Sequence, residues 1–151
     1  MNLDNQLIGL RPPRIAFTLV CIALGVHVLR PLTFLPSLPV TAIAVGAVGF
    51  ALMIRAWWLF KVNNTAICPT AASSSLVTHD VFALSRNPMY LGMIMMLAGL
   101  ALFFGSLPFY AALVIYGLVL DRVFCPYEEQ KLAGTYGEQY AAYRVRVRRW
   151  L

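Results

Sequence analysis

The sequence predicts an all-α membrane protein: a polytopic helical bundle of about four transmembrane helices plus a C-terminal interfacial helix, in one domain over 1–151. Three observations carry this. Hydrophobic residues make up 60% of the 151, and only 12% are charged. Soluble domains carry roughly 25% charge, so this chain cannot coat a water-facing surface. Apolar runs of membrane-crossing scale recur, separated by breaks rich in Pro and Gly. The formal charge of +6 gathers outside those runs.

The first run is Ile15–Leu29, between Arg14 and Arg30. It is short for a span of about 20 residues, and the flanking arginines can snorkel to lengthen it. The second, Leu38–Phe60, is interrupted only by Arg55, which reads as a snorkelling or site-facing residue. Its Gly46 and Gly49 permit close helix packing, and Trp57-Trp58 fit an interfacial belt. Lys61–Asn87 is a long polar connection, the kind of loop that carries function in a small bundle. Met89–Phe104 and Phe109–Phe124 form the third and fourth runs. Only Gly105-Ser106-Leu107-Pro108 separates them, with Gly to end one helix and Pro to start the next. That turn forces an antiparallel hairpin. Pro126 removes a helical hydrogen bond and is expected to kink or restart the chain after the fourth run.

Lysine and arginine set the orientation. Arg11 and Arg14 precede the first run, Lys61 and Arg86 lie in the long connection, and Lys131 and the terminal arginines follow the fourth. The two remaining loops share only Arg30. Both termini and the 61–87 loop are therefore expected in the cytoplasm. This brings Leu76–Asn87 and Glu128–Trp150 to one side of the bilayer.

Some functions are excluded early. Cys21, Cys68 and Cys125 match no zinc or redox spacing. Cys21 reads as an apolar filler, whereas Cys125 stands near two acidic residues. His27 and His79 have no Cys or second His beside them, so no metal site is expected. A nucleic-acid partner would need a soluble basic face, which this chain lacks. The cluster Arg144, Arg146, Arg148 and Arg149 reads first as a positive-inside anchor.

The chemistry concentrates in two stretches. In Arg86-Asn87-Pro88-Met89-Tyr90-Leu91-Gly92, Pro88 suits a first helical turn and Asn87 is biased out of the helical region. Arg86 and Asn87 thus form the rim of a helix start. Free N–H groups there suit an anionic group, and the Arg86 fork can hold a carboxylate. Gly92 allows a ligand or another backbone to come close. The second stretch carries Glu128 and Glu129 just after Pro126, where they cap a helix or accept hydrogen bonds from a ribose or amine. Asp121 and Arg122 are costly near a span end unless paired or site-facing. Tyr136, Tyr140 and Tyr143 recur at helical spacing. They read as a helix resting on the bilayer or as an aromatic face able to attract a sulfonium or ammonium cation.

These blocks resemble the isoprenylcysteine carboxyl methyltransferase and phospholipid methyltransferase group of integral membrane enzymes. One block is Leu76-Val77-Thr78 with Ser85–Gly92; the other is Glu128-Glu129, Leu132, Tyr136-Gly137, Tyr140, Tyr143 and Val147–Trp150. The family often has His where Asn87 stands, and Phe-Gly where Tyr136-Gly137 stands. The resemblance implies S-adenosylmethionine as cofactor, bound by Asn87, Tyr90, Gly92, Glu128, Glu129, Tyr140 and Arg144. It implies Arg86 and Glu129 as catalytic residues, with a lipophilic methyl acceptor and membrane lipid as partners. A membrane NADPH-dependent reductase of the sterol-reductase type shows a similar Tyr- and Arg-rich end, and a non-catalytic scaffold is the third reading. A carrier is disfavoured, since ionisable residues avoid the middle of the runs.

Overall fold

The computed structural model describes residues 11–63 and 75–151. Residues 64–74 of the long polar connection, with Cys68, and the first ten residues lie outside the described residues. Among the described residues six α-helices follow in order: α1 Pro12–Leu29, α2 Pro39–Val62, α3 Pro88–Phe104, α4 Leu107–Val119, α5 Cys125–Tyr136 and α6 Glu138–Arg146. The first five begin with Pro in their first turn; in α1 to α4, which start afresh, its missing N–H costs nothing and its φ is already helical. A 3₁₀ turn, Asp80–Ala83, precedes α3.

By length and composition, three helical stretches can cross a membrane: Pro12–Leu29, Pro39–Val62 and Leu107–Tyr136. Helix α3 is apolar but shorter at 17 residues, about 26 Å. Their outer faces expose large apolar residues such as Phe17, Val28, Val40 and Ile43, as lipid contact requires.

The fourth run departs from expectation. The helix neither stops at Phe124 nor breaks at Pro126; it runs on from α4 into α5 through a π-helical segment, Leu120–Phe124. The Cys125 N–H bonds back to the Leu120 carbonyl, five residues away. A proline at 126 has no N–H for the Arg122 carbonyl and its ring crowds that carbonyl. Widening the preceding turn accommodates both facts without ending the helix.

Helices α2 and α3 meet along small residues. A methyl on Gly49 would lie 2.7 Å from the Gly92 carbonyl oxygen, and one on Gly99 would lie 2.8 Å from that of Ala42. Small residues at such a crossing let the backbones touch. The expected α3–α4 hairpin is present: Gly105 ends α3 at φ 59, a conformation glycine adopts without strain. Its carbonyl accepts from the Phe34 and Leu35 N–H groups at 2.8 and 3.0 Å, binding the α1–α2 loop to the hairpin at one end of the bundle. Between α3 and α4, Tyr90, Leu97, Tyr116, Leu120, Phe124 and Cys125 form the core.

Helix α6 forms, but its tyrosine face does not rest on lipid. Gly137, at φ 50, turns the chain sharply after α5. Tyr140, Tyr143 and Val147 are buried against Leu76, Leu132 and Tyr136. The Tyr143 hydroxyl donates to the Phe82 carbonyl at 2.7 Å. The bundle itself covers the aromatic stripe.

Candidate functional site

The rim before α3 and the chain end pair directly. The Arg86 N–H donates to the Arg148 carbonyl at 3.0 Å. The Ser85 hydroxyl donates to the Arg149 carbonyl at 3.0 Å and the Asn87 side-chain amide to the same oxygen at 3.4 Å. Asn87 holds the N-cap position at φ −130, ψ 55, the non-helical geometry that a following proline favours. The two sequence-distant stretches thus meet at one end of the bundle, as the charge count predicted.

Beneath this pairing lies an ionic cluster. Arg149 grips Glu129 with a two-bond fork, Nε to Oε1 at 2.9 Å and Nη2 to Oε2 at 3.0 Å. Its remaining Nη1 reaches Asp121 Oδ1 at 3.0 Å. Trp150 Nε1 donates to the same Asp121 oxygen at 3.0 Å. Arg86 Nη2 joins Glu129 Oε1 at 3.2 Å, both side chains about one-tenth exposed (9% and 10%). The Glu129 carboxylate, followed by Asp121, holds the Arg149 guanidinium charged above its already high range. Arg122, largely exposed, adds a third guanidinium through Asp121 Oδ2 at 3.3 Å, and the buried Glu129 carboxylate is matched by arginines, as an unpaired charge there would be expensive.

Arg149 is engaged with Glu129 and Asp121, a pairing its basic neighbours did not suggest. It was legible only as part of the terminal Arg-Arg-Trp, and Asp121 only as a carboxylate in need of a partner. The signal that joins them is that each is costly alone.

A cavity of about 330 Å³ opens beside the cluster, within the range of small-molecule sites. Its walls are largely apolar: Pro12 and Pro13 from α1, Phe60 from α2, Phe82 from the 3₁₀ turn, and Pro88, Met89 and Met93 from α3. Arg86, Asn87, Tyr90 and Glu128 add polar groups. The Tyr90 hydroxyl donates to Glu128 Oε1. Arg86 bonds through Nη2 to Glu129 and through Nη1 to the Tyr140 hydroxyl at 3.5 Å, while its Nε is buried with no partner among the described residues.

The two adjacent glutamates are therefore held differently: Glu129 is clamped by two arginines, while Glu128 takes a phenol and lines the cavity.

The other sequence candidates do not line this cavity. Gly92 faces α2, where an added methyl would stand 2.5 Å from the Gly49 carbonyl oxygen; its lack of a side chain serves the helix contact. Tyr140 and Arg144 border a second, shallower cavity of about 390 Å³ with Ala133, Gly137, Ala141 and Val145. Burial pushes the Tyr140 hydroxyl above its ordinary range. Cys125 is packed in the α3–α4 core. Arg55 pairs with Asp80, Nε to Oδ2 at 3.2 Å, and lies 4.6 Å over the Trp58 ring. The pair ties the 3₁₀ turn bearing Phe82 to α2. The part played by the Pro12-Pro13 start of α1 and by Phe60 had no sequence signal beyond hydrophobicity.

The chain is 32% identical over 63 residues to an uncharacterized protein of Haemophilus influenzae, a stretch that is 42% of this chain and all of that protein. No solved structure matches the chain. The phospholipid methyltransferase family matches residues 38–139, from the start of α2 to the first turn of α6, which takes in the α2–α3 contact, the rim residues and both glutamates. With more than half its length matched, the chain belongs to the phospholipid methyltransferase family.

Proposed function

We propose that the protein transfers the methyl group of S-adenosylmethionine to a lipophilic acceptor that enters from the bilayer. The observation that carries this is the largely apolar cavity on which Arg86, Asn87, Tyr90 and Glu128 converge. Those groups fit the cofactor. The Asn87 amide and Glu128 carboxylate suit ribose hydroxyls or an ammonium. Arg86 lines the cavity, and its guanidinium is suited to a carboxylate. Phe60, Phe82 and the methionines supply an apolar bed for a purine ring. The cofactor, when bound, supplies an electrophilic methyl on sulfur.

The residues contribute chiefly by positioning, which can lower a barrier by about 7–11 kcal/mol. Tyr90 orients Glu128, and Glu128 fixes the polar end of whatever occupies the cavity. Glu129, clamped by two arginines, sets Arg86 and is a poor candidate for moving a proton. A carboxylate or thiolate acceptor needs no base; for an ammonium acceptor, Glu128 is the carboxylate facing the cavity. The Lys and Arg distribution supports the cytoplasmic side for this end of the bundle.

Calorimetry with S-adenosylhomocysteine in detergent tests the cofactor; no heat at millimolar ligand removes the reading. Protection from thermal unfolding by NADPH but not by S-adenosylmethionine would favour a reductase. Labelled S-adenosylmethionine offered with prenylcysteines, amine phospholipids or small thiols identifies the acceptor class.

A further inference from the structure

We infer that Arg149 is a positioning residue for the cofactor site: by occupying Glu129, it keeps Arg86 from being consumed in that ion pair. The inference rests on the reading of the cavity as the S-adenosylmethionine site.

An arginine has five N–H donors in a fixed fork, and an ionised carboxylate can accept such a fork through both oxygens. Glu129 stands within reach of two such forks. Arg149 takes the two-oxygen position, with bonds of 2.9 and 3.0 Å. Arg86 is left with an end-on contact from Nη2 at 3.2 Å. The consequence appears at Arg86, whose Nε has no partner among the described residues although the side chain is nine-tenths buried. Arg86 also lines the cavity. Without the Arg149 fork, Glu129 would be free to turn both oxygens toward Arg86, and the remaining donor would be used internally.

A second feature makes the chain end suited to this task. Beyond the Glu129 fork, Arg149 is held at two points. Its backbone carbonyl accepts from Ser85 and Asn87. Its Nη1 is fixed by the Asp121 carboxylate at 3.0 Å and the Asp121 carbonyl at 3.2 Å. Trp150 donates to the same carboxylate oxygen. Asp121 lies in the π-helical segment, so the widened turn that Pro126 requires also presents the anchor for Arg149. The side chain links the rim, the fourth helix and Glu129 in one rigid unit.

The test is calorimetry of S-adenosylhomocysteine with the full chain in detergent: wild type, Arg149→Lys, Arg149→Ala, Glu129→Gln and the double variant Arg149→Ala/Glu129→Gln. Arg149→Ala is expected to weaken binding about tenfold, the size of one lost charged hydrogen bond. Arg149→Lys, which keeps the charge but not the fork, is expected to restore only part of it. The double variant is expected to bind within about twofold of Glu129→Gln alone, because Arg149 acts through Glu129. If Arg149→Ala fails to fold, Arg149→Lys against wild type decides. Wild-type affinity in the Arg149 variants, or fully additive losses in the double variant, would overturn the inference alone. Absence of wild-type binding would overturn the cofactor reading and this inference with it.

Discussion

Gly49 and Gly92 face each other across α2 and α3 so closely that a methyl on either would stand 2.7 or 2.5 Å from the other's carbonyl oxygen. The obstructing atoms are backbone, so neither helix can yield without moving. Gly92→Ala is therefore expected to destabilise the bundle by about 1–3 kcal/mol, the usual cost of overpacking. Thermal unfolding in detergent measures this. Affinity for S-adenosylhomocysteine, per folded molecule, should stay near wild type; a selective loss of affinity at unchanged stability would return Gly92 to the cofactor wall.

Tyr90→Phe removes the hydroxyl that fixes Glu128 while leaving the ring in place against Phe124. A hydrogen bond to a charged group is worth about 1.5–3 kcal/mol, so cofactor affinity should fall about tenfold. Glu128→Gln should cost at least as much. Titration calorimetry reads both, and equal affinity in the two variants and wild type would detach Glu128 from the ligand.

Tyr143→Phe leaves the buried Phe82 carbonyl without its 2.7 Å donor. An orphaned buried acceptor costs about 1–3 kcal/mol. Because Phe82 lines the cavity, both the unfolding temperature and the affinity should drop. A fall in stability with intact affinity would show that the 3₁₀ turn does not shape the site.

The Arg55 guanidinium beside Asp80 holds that carboxyl below its ordinary value of 3.8. A depressed folded-state value means that the pair contributes fully above about pH 4 and is lost as pH falls through the lower folded value. Asp80→Asn lacks the contribution throughout. The stability gap between wild type and Asp80→Asn should therefore be open at pH 7 and close toward pH 3. Because the pair is solvent-facing, the gap should also narrow in high salt. Unfolding curves across that range check both; a gap that widens on acidification contradicts the assignment.

Much of this architecture was legible residue by residue. Prolines marked the helix starts, Gly105 marked the hairpin, and the small residues of α2 marked a close helix contact. The gathering of basic residues at three alternate breaks was enough to bring Arg86 and Glu129 to one end of the bundle. The positions left open share a cause. Gly92, Arg149 and the tyrosine stripe each had two physically sound partners: ligand or helix, bilayer or carboxylate, lipid or protein. Pro126 likewise had two outcomes, a break or a widened turn.

By itself, then, the sequence determined the apolar helices, their order and hairpin, and the side on which the polar residues collect. These follow from backbone chemistry and hydropathy over a few residues. Only the tertiary structure decided which glutamate is clamped and which faces the cavity, and that Arg149 holds the rim from 64 residues beyond Ser85. Adjacent glutamates are chemically alike; what separates them is the geometry of arginines and a tyrosine supplied by distant helices, and no local pattern encodes that choice.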